Sequence, residues 1–199
     1  MNQGHFHLTV PVGATDHVLG PDHAPVTLVE YGDFECPNCK QAAPAVKLLL
    51  ERFDQKVRFA YRHLPLVDVH PHAMGAAQAA ECAGAQGKFW EYHDALFHDK
   101  QLEPANLKQT ARTLKLDGAR FDKCLDSGEQ ADAVKKDYNE AVRLGLSGTP
   151  SFFINRHFLS GALDYASLRD AVEQQLQGSV PSTQKAATSN PPSKDSSLK

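Results

Sequence analysis

The sequence predicts an α/β fold in which a helical lobe interrupts a small sheet, and two observations carry that expectation. Between Val26 and Tyr61 a β-prone run, a helical apolar stripe and an alternating run follow one another, and strand character then vanishes until Ser151. With 199 residues, 41% of them apolar and 23% charged, the chain has the length and composition of one domain with a full core.

The elements follow in order. "VTLVEY", Val26 to Tyr31, lies between "GPDHAP" and Gly32 and reads as a buried strand carrying one acid, Glu30. Pro37 suits a first helical turn, where its missing N–H would be unsatisfied anyway, and Val46, Leu49, Leu50 and Phe53 supply a helical stripe. Pro44 is expected to kink that helix. "VRFAY", Val57 to Tyr61, alternates like a strand, so residues 26–61 form a strand, helix, strand unit that should be parallel and right-handed.

A helical insertion is expected over about residues 66–146. Its apolar faces are Phe89, Trp90, His93 and Phe97, then Leu107, Ala111 and Leu114, then Phe121, Cys124 and Leu125, and finally Val134, Tyr138 and Ala141. Strand character returns at Ser151 to Ile154 and His157 to Ser160, with Asn155-Arg156 compatible with a tight hairpin. A last helix should run from an N-cap at Asp164 to Gln177, with Gly178 ending it. Residues 1–177 thus read as one domain. Residues 178–199 are rich in Ser, Pro and Lys without an aromatic, cannot repay their ordering entropy, and are expected to form a disordered tail.

A net charge of -3 with dispersed basic residues gives no electrostatic footprint for nucleic acid or an anionic membrane, so neither is an expected partner. The N-terminus has neither a basic leader region nor an apolar core, and no apolar run approaches membrane-spanning length. A cytoplasmic location is the expectation for the sequence as numbered, or a periplasmic one if a leader has been removed. Four cysteines are too sparse for a disulfide-stapled secreted scaffold, which points the cysteines toward chemistry.

That chemistry centres on "YGDFECPNCKQAAP", Tyr31 to Pro44. A zinc site would need a second ligand pair at matching spacing, and neither Cys82, Cys124 nor any histidine lies in one, so no metal is assigned. His5, His7, His70 and His72 read as ordinary turn or surface residues. A redox centre accounts for more: Cys36 falls at a helix N-cap, where unpaired N–H groups and the helix dipole stabilise a thiolate. Cys39, one turn in, is placed to resolve a mixed disulfide on Cys36. Glu30, six residues before Cys36 on the preceding strand, would lie beneath the dithiol as a buried proton acceptor for Cys39. Glu35 reads as a rim charge.

Four segments carry a family resemblance: "VTLVEYGDFECPNCKQAAP", "YRHLPL" at Tyr61 to Leu66, "AAECAGAQGKFWEYHDALF" at Ala79 to Phe97, and "GTPSFFIN" at Gly148 to Asn155. Together they make the chain, over about residues 20–177, resemble the DsbA-like thiol-disulfide oxidoreductases of the thioredoxin superfamily. The resemblance implies a thioredoxin fold with an inserted helical lobe. It also implies that Thr149-Pro150 is a cis bond facing the dithiol, where a substrate chain adds as a short strand; from the residues alone Pro150 is a turn before a strand. Pro37 and Asn38 stand where the best-known periplasmic oxidants of the family carry Pro-His, so a strongly oxidising couple is not implied.

Some relatives carry a second disulfide in the lobe, to which Cys82 and Cys124 would correspond, worth about 4 kcal/mol on the chain-entropy estimate. For a cytosolic chain the balance tips toward two small buried thiols instead. The expected activity is thiol-disulfide exchange with protein or peptide substrates: Cys36 is the exposed nucleophile, Cys39 resolves, Glu30 moves a proton, and a redox partner resets the dithiol. No organic cofactor is needed. The alternatives are a metal-binding protein using both thiolates, or a glutathione-linked transferase or isomerase, enzymes that typically lack the resolving cysteine kept here as Cys39.

Overall fold

A computed structural model of the chain describes residues 8–99 and 101–178. His5, His7 and the segment after Gly178 lie outside the described residues. Five strands, β1 (His17–Leu19), β2 (Val26–Gly32), β3 (Val57–His63), β4 (Ser151–Ile154) and β5 (His157–Ser160), form one sheet in the order β1-β3-β2-β4-β5. β2 and β3 are parallel, as a helical crossover between them requires, and each other neighbouring pair is antiparallel. That crossover is α1 (Pro37–Arg52), which runs through Pro44 without ending.

Between β3 and β4 stand α2 (Ala73–Gly84), α3 (Phe89–His98), α4 (Pro104–Thr113), α5 (Gly118–Ser127) and α6 (Ala131–Arg143), and α7 (Tyr165–Gly178) closes the described chain. The lobe is therefore the inserted helical block that the sequence predicts. Asp117 caps α5 by accepting the Arg120 N–H at 3.0 Å. Asp117→Ala is expected to cost about 1 kcal/mol, read as a lowered urea midpoint, because an orphan donor of the first turn loses its acceptor.

Both faces of the sheet are covered. Leu28, Phe59 and Tyr61 join α1, α7 and the lobe in one core, while Val29, Tyr31, Ala60 and Phe153 pack with Ala141 and Leu144 in a second. Two-sided burial explains why "VTLVEY" shows no clean polar alternation. Alternation along β2 places Glu30 on the Leu28 side, beneath α1, in register with Tyr61 on β3.

The second core holds an ionic cluster. Arg62 on β3 is buried; its Nε donates to Asp16 Oδ1 at 2.7 Å, and its Nη1 to Glu140 Oε2 at 2.9 Å and to Tyr31 Oη at 3.1 Å. It also donates to the carbonyls of Val10 and Pro11, so one guanidinium ties the N-terminal segment, β2, β3 and α6 together.

Two elements escape the sequence pattern. β1 is three residues long, too short for any periodicity to register. α2 buries Ala73, Ala76, Ala77, Ala79 and Ala80, small residues that mark no strong stripe. One balance is corrected: Cys82 on α2 and Cys124 on α5 are bonded, not free. The two helices pack side by side and bring the Cα atoms to 5.9 Å, within the span that a disulfide bridges.

Candidate functional site

The dithiol sits where β2 ends and α1 begins. Cys36 is the N-cap of α1, with extended φ and ψ of -71° and 123°, and Pro37 occupies the first turn, so the helix presents unpaired N–H groups toward the Cys36 sulfur. The Cys36 thiol is drawn down to about 5. The Cys39 thiol hydrogen bond contributes most, and the backbone N–H groups of Cys39 and Asn38 add to it against the opposing effect of burial. Burial pushes Cys39 the other way, far above the usual thiol range, with the Cys36 interaction and the Glu30 charge adding to it. Two sulfurs one helical turn apart therefore have opposite characters: one ionised at neutral pH, the other a retained thiol.

Cys36 is less open than a solvent-facing nucleophile, at 5% exposed. The reason is the loop before β4: Cys36 Sγ lies 3.4 Å from the Thr149 carbonyl oxygen, a contact that a protonated thiol makes as donor. Thr149-Pro150 is cis, and Pro150 O accepts the Gly161 N–H at 3.0 Å. Along that loop runs a groove of about 300 Å³ lined by Ser147, Gly148, Thr149, Pro150 and Phe158.

Glu30 is 2% exposed, and burial first, then the Cys36 charge, raise its carboxyl to about 8. Its Oε1 has no hydrogen-bond partner among the described residues. Gly32, at the end of β2, is required by a close approach: a Cβ there would lie 2.5 Å from the Tyr61 ring.

Sequence reasoning leaves out Asp33. Its buried carboxylate accepts the N–H of Glu35 at 2.8 Å and of Leu66 at 2.9 Å, and pairs with His70 Nδ1 at 2.8 Å, while its own N–H donates to Cys39 Sγ at 3.4 Å. Asp33 thus joins the dithiol turn to the loop after β3. Glu35 stays at the rim, where its carboxylate accepts the His72 N–H at 2.6 Å. An Asp-x-Glu before the dithiol is the one local signal of this turn, since an Asp side chain readily accepts the N–H two residues on. Asn38 contributes an N–H to the Cys36 sulfur, and Cys82 and Cys124 lie away in the lobe as a structural bond. Among the described residues no group of three or more His, Cys, Asp or Glu is arranged to hold a metal ion.

A thioredoxin family model matches residues 13–174, most of the chain, from before β1 into α7. The chain belongs to the thioredoxin family. Within that family its fold is DsbA-like. It superposes on a thioredoxin-like oxidoreductase from Silicibacter pomeroyi with a TM-score of 0.75 and 30% identity, covering 83% of this chain and 94% of that one. It also superposes on alpha-DsbA1 of Wolbachia pipientis with a TM-score of 0.75, covering 86% and 95%; at 20% identity that likeness concerns the fold alone.

Among curated sequences, the chain is 47% identical over 180 residues to part of a protein named Na(+)/H(+) antiporter NhaA 1 from Salinispora arenicola, covering 89% of this thioredoxin-family chain and 28% of the antiporter. The chain spans about a quarter of the length of the curated relatives it matches, 28% and 26% for the first two. Among the described residues no helix is long and apolar enough to cross a membrane.

Proposed function

We propose that this thioredoxin-family domain exchanges disulfides with protein or peptide substrates through Cys36 and Cys39. The observation that carries the reading is the Cys36 thiol, lowered to about 5 at the α1 N-cap and 3.4 Å from the cis-proline loop. The Cys36 thiolate attacks one sulfur of a substrate disulfide, a mixed disulfide forms, and the other substrate sulfur leaves as a thiolate. Cys39 then gives its proton to Glu30, and its sulfur attacks Cys36 Sγ, closing the Cys36–Cys39 bond and releasing the second substrate sulfur. Two electrons pass to the substrate; oxidation is the same sequence reversed.

Glu30 suits that proton step. Burial chiefly, and the Cys36 thiolate charge in addition, keep the Glu30 carboxyl protonated; forming the mixed disulfide removes that charge and makes it easier for the carboxyl to release its proton and act as a base. The cis Thr149-Pro150 loop, whose Thr149 carbonyl lies 3.4 Å from Cys36 Sγ, supports docking of an extended substrate segment next to Cys36.

The direction we propose is disulfide donation in an oxidising compartment. A stabilised thiolate makes the reduced form favourable and its disulfide a stronger oxidant, and the Cys82–Cys124 bond fits an oxidising environment better than the cytoplasm. The partner that resets the dithiol would then be an electron acceptor. In an insulin-reduction assay, Cys36→Ala is expected to fall to the uncatalysed background, and rates equal to wild type would remove the dithiol from the reaction. The couple's reduction potential is expected above the glutathione poise of about -220 mV; a value near that of a reducing thioredoxin, about -270 mV, would reverse the proposed direction.

A further inference from the structure

A cavity of about 210 Å³ opens beside the buried carboxyl, lined by Glu30, Phe59, Trp90 and His93 inside and by the exposed Lys47, Glu51 and Asp94 at its mouth. Five buried polar side-chain atoms lack a hydrogen-bond partner among the described residues, and two of them, Glu30 Oε1 and His93 Nε2, belong to residues lining this one cavity. A volume of that size holds several water molecules, and two orphaned polar groups with a charged mouth are what such waters need as partners. Tyr61 stands edge-on to His93 with ring centroids 4.8 Å apart, in register with Glu30 on the neighbouring strand.

His93 is oriented for a definite role. Its Nδ1 lies 2.9 Å from Asp94 Oδ1, and that contact holds the Asp94 carboxyl below its usual range, so Asp94 is ionised and Nδ1 carries the ring proton. The other nitrogen, Nε2, is then a free acceptor. Burial lowers the His93 pKa and keeps the ring neutral at pH 7. Asp94 itself is exposed, with 63% of its side chain in solvent, and steadies the imidazolium once it forms.

We infer that His93 relays the resolving proton between Glu30 and solvent. In the direction that closes the Cys36–Cys39 bond, the protonated Glu30 first sends its own proton through cavity water to His93 Nε2, forming an imidazolium opposite Asp94, and the carboxylate left behind then takes the proton of Cys39. His93 returns a proton at the same nitrogen to water at the cavity mouth, which restores the neutral ring. No electrons move in this relay; the net change is one proton lost from the Cys39 thiol and one delivered to solvent. His93 touches neither sulfur and is a positioning and relay residue.

The inference rests on the thiol-exchange reading above, and the two fail differently. The test mixes reduced protein with oxidised glutathione and follows, by acid quench and mass spectrometry, formation of the glutathione mixed disulfide and its resolution by Cys39. His93→Phe and His93→Gln are expected to slow resolution about tenfold while leaving mixed-disulfide formation unchanged, because removing a proton-transfer group costs at least about this much. In His93→Ala, added imidazole is expected to restore resolution in proportion to its concentration. A fold defect slows both steps together and is not relieved by imidazole.

The relay is overturned if the ratio of the two steps matches wild type in both the Phe and Gln variants, or if the ratio falls and imidazole leaves the Ala variant unchanged. Wild-type protein that forms no mixed disulfide at all would overturn the thiol-exchange reading and the relay with it.

Discussion

Arg62→Met is expected to lower stability by about 3 to 5 kcal/mol, the cost of leaving buried charges without their partner. A single-domain chain has only about 5 to 15 kcal/mol in total, so the variant should be partly unfolded or sharply sensitive to urea. Arg62 is 2% exposed and faces two carboxylates that are themselves largely buried, Asp16 and Glu140. Burial, the largest single influence, would raise the Asp16 carboxyl; the Arg62 hydrogen bond and charge, together with the Gly13 N–H and Lys136, outweigh it and hold the carboxyl below its usual range. Remove the guanidinium and two of those four opposing influences disappear. The cost lies in the stranded acids more than in the lost pair, so a triple variant adding Asp16→Asn and Glu140→Gln should recover most of the urea midpoint. A single variant within about 1 kcal/mol of wild type would show that water reaches this cluster freely.

How far the sequence reveals this molecule depends on how local each determinant is. The Cys36 N-cap, the Pro37 start and the Cys39 position are set within one helical turn, and the strand-helix-strand unit lies within forty residues, so both are readable from spacing alone. The burial of Glu30 follows from strand alternation once β2 is known. Arg62 is different: in an alternating strand an arginine reads as a solvent-facing residue, and only α6, nearly eighty positions later, supplies Glu140 to bury it. Asp33 and His70 meet through a loop whose path no periodicity predicts. The Cys82–Cys124 bond depends on two helices choosing one another, and the low exposure of Cys36 depends on a proline loop 113 residues away. Chemistry carried by a short motif is legible; its enclosure by distant chain is not.

Glu30→Gln is expected to stabilise the reduced protein by about 3 kcal/mol at pH 7 while slowing the resolving step. Glu30 has its folded pKa raised to about 8 from 4.5, so its contribution is fully present below 4.5 and is lost as pH rises toward 8, while the unfolded chain has already ionised. Cys36 runs in the opposite sense: lowered from 9.0 to about 5, it contributes stability above pH 9 that is lost as pH falls through 5. Between pH 5 and 8 the folded state holds one extra proton on Glu30 and lacks one on Cys36, so the two slopes offset and these groups leave wild-type stability nearly flat. Glu30→Gln removes one side of that balance, and its stability should climb with pH across the window; Cys36→Ser removes the other and should decline. Urea unfolding of the reduced proteins at pH 5, 6, 7 and 8 reads both slopes, and a flat Glu30→Gln profile would mean that the carboxyl is not held protonated beneath the dithiol. A group that costs the fold stability and is retained next to the reacting sulfurs has to be repaid in rate, and the same variant should lose the acceptor that takes the Cys39 proton.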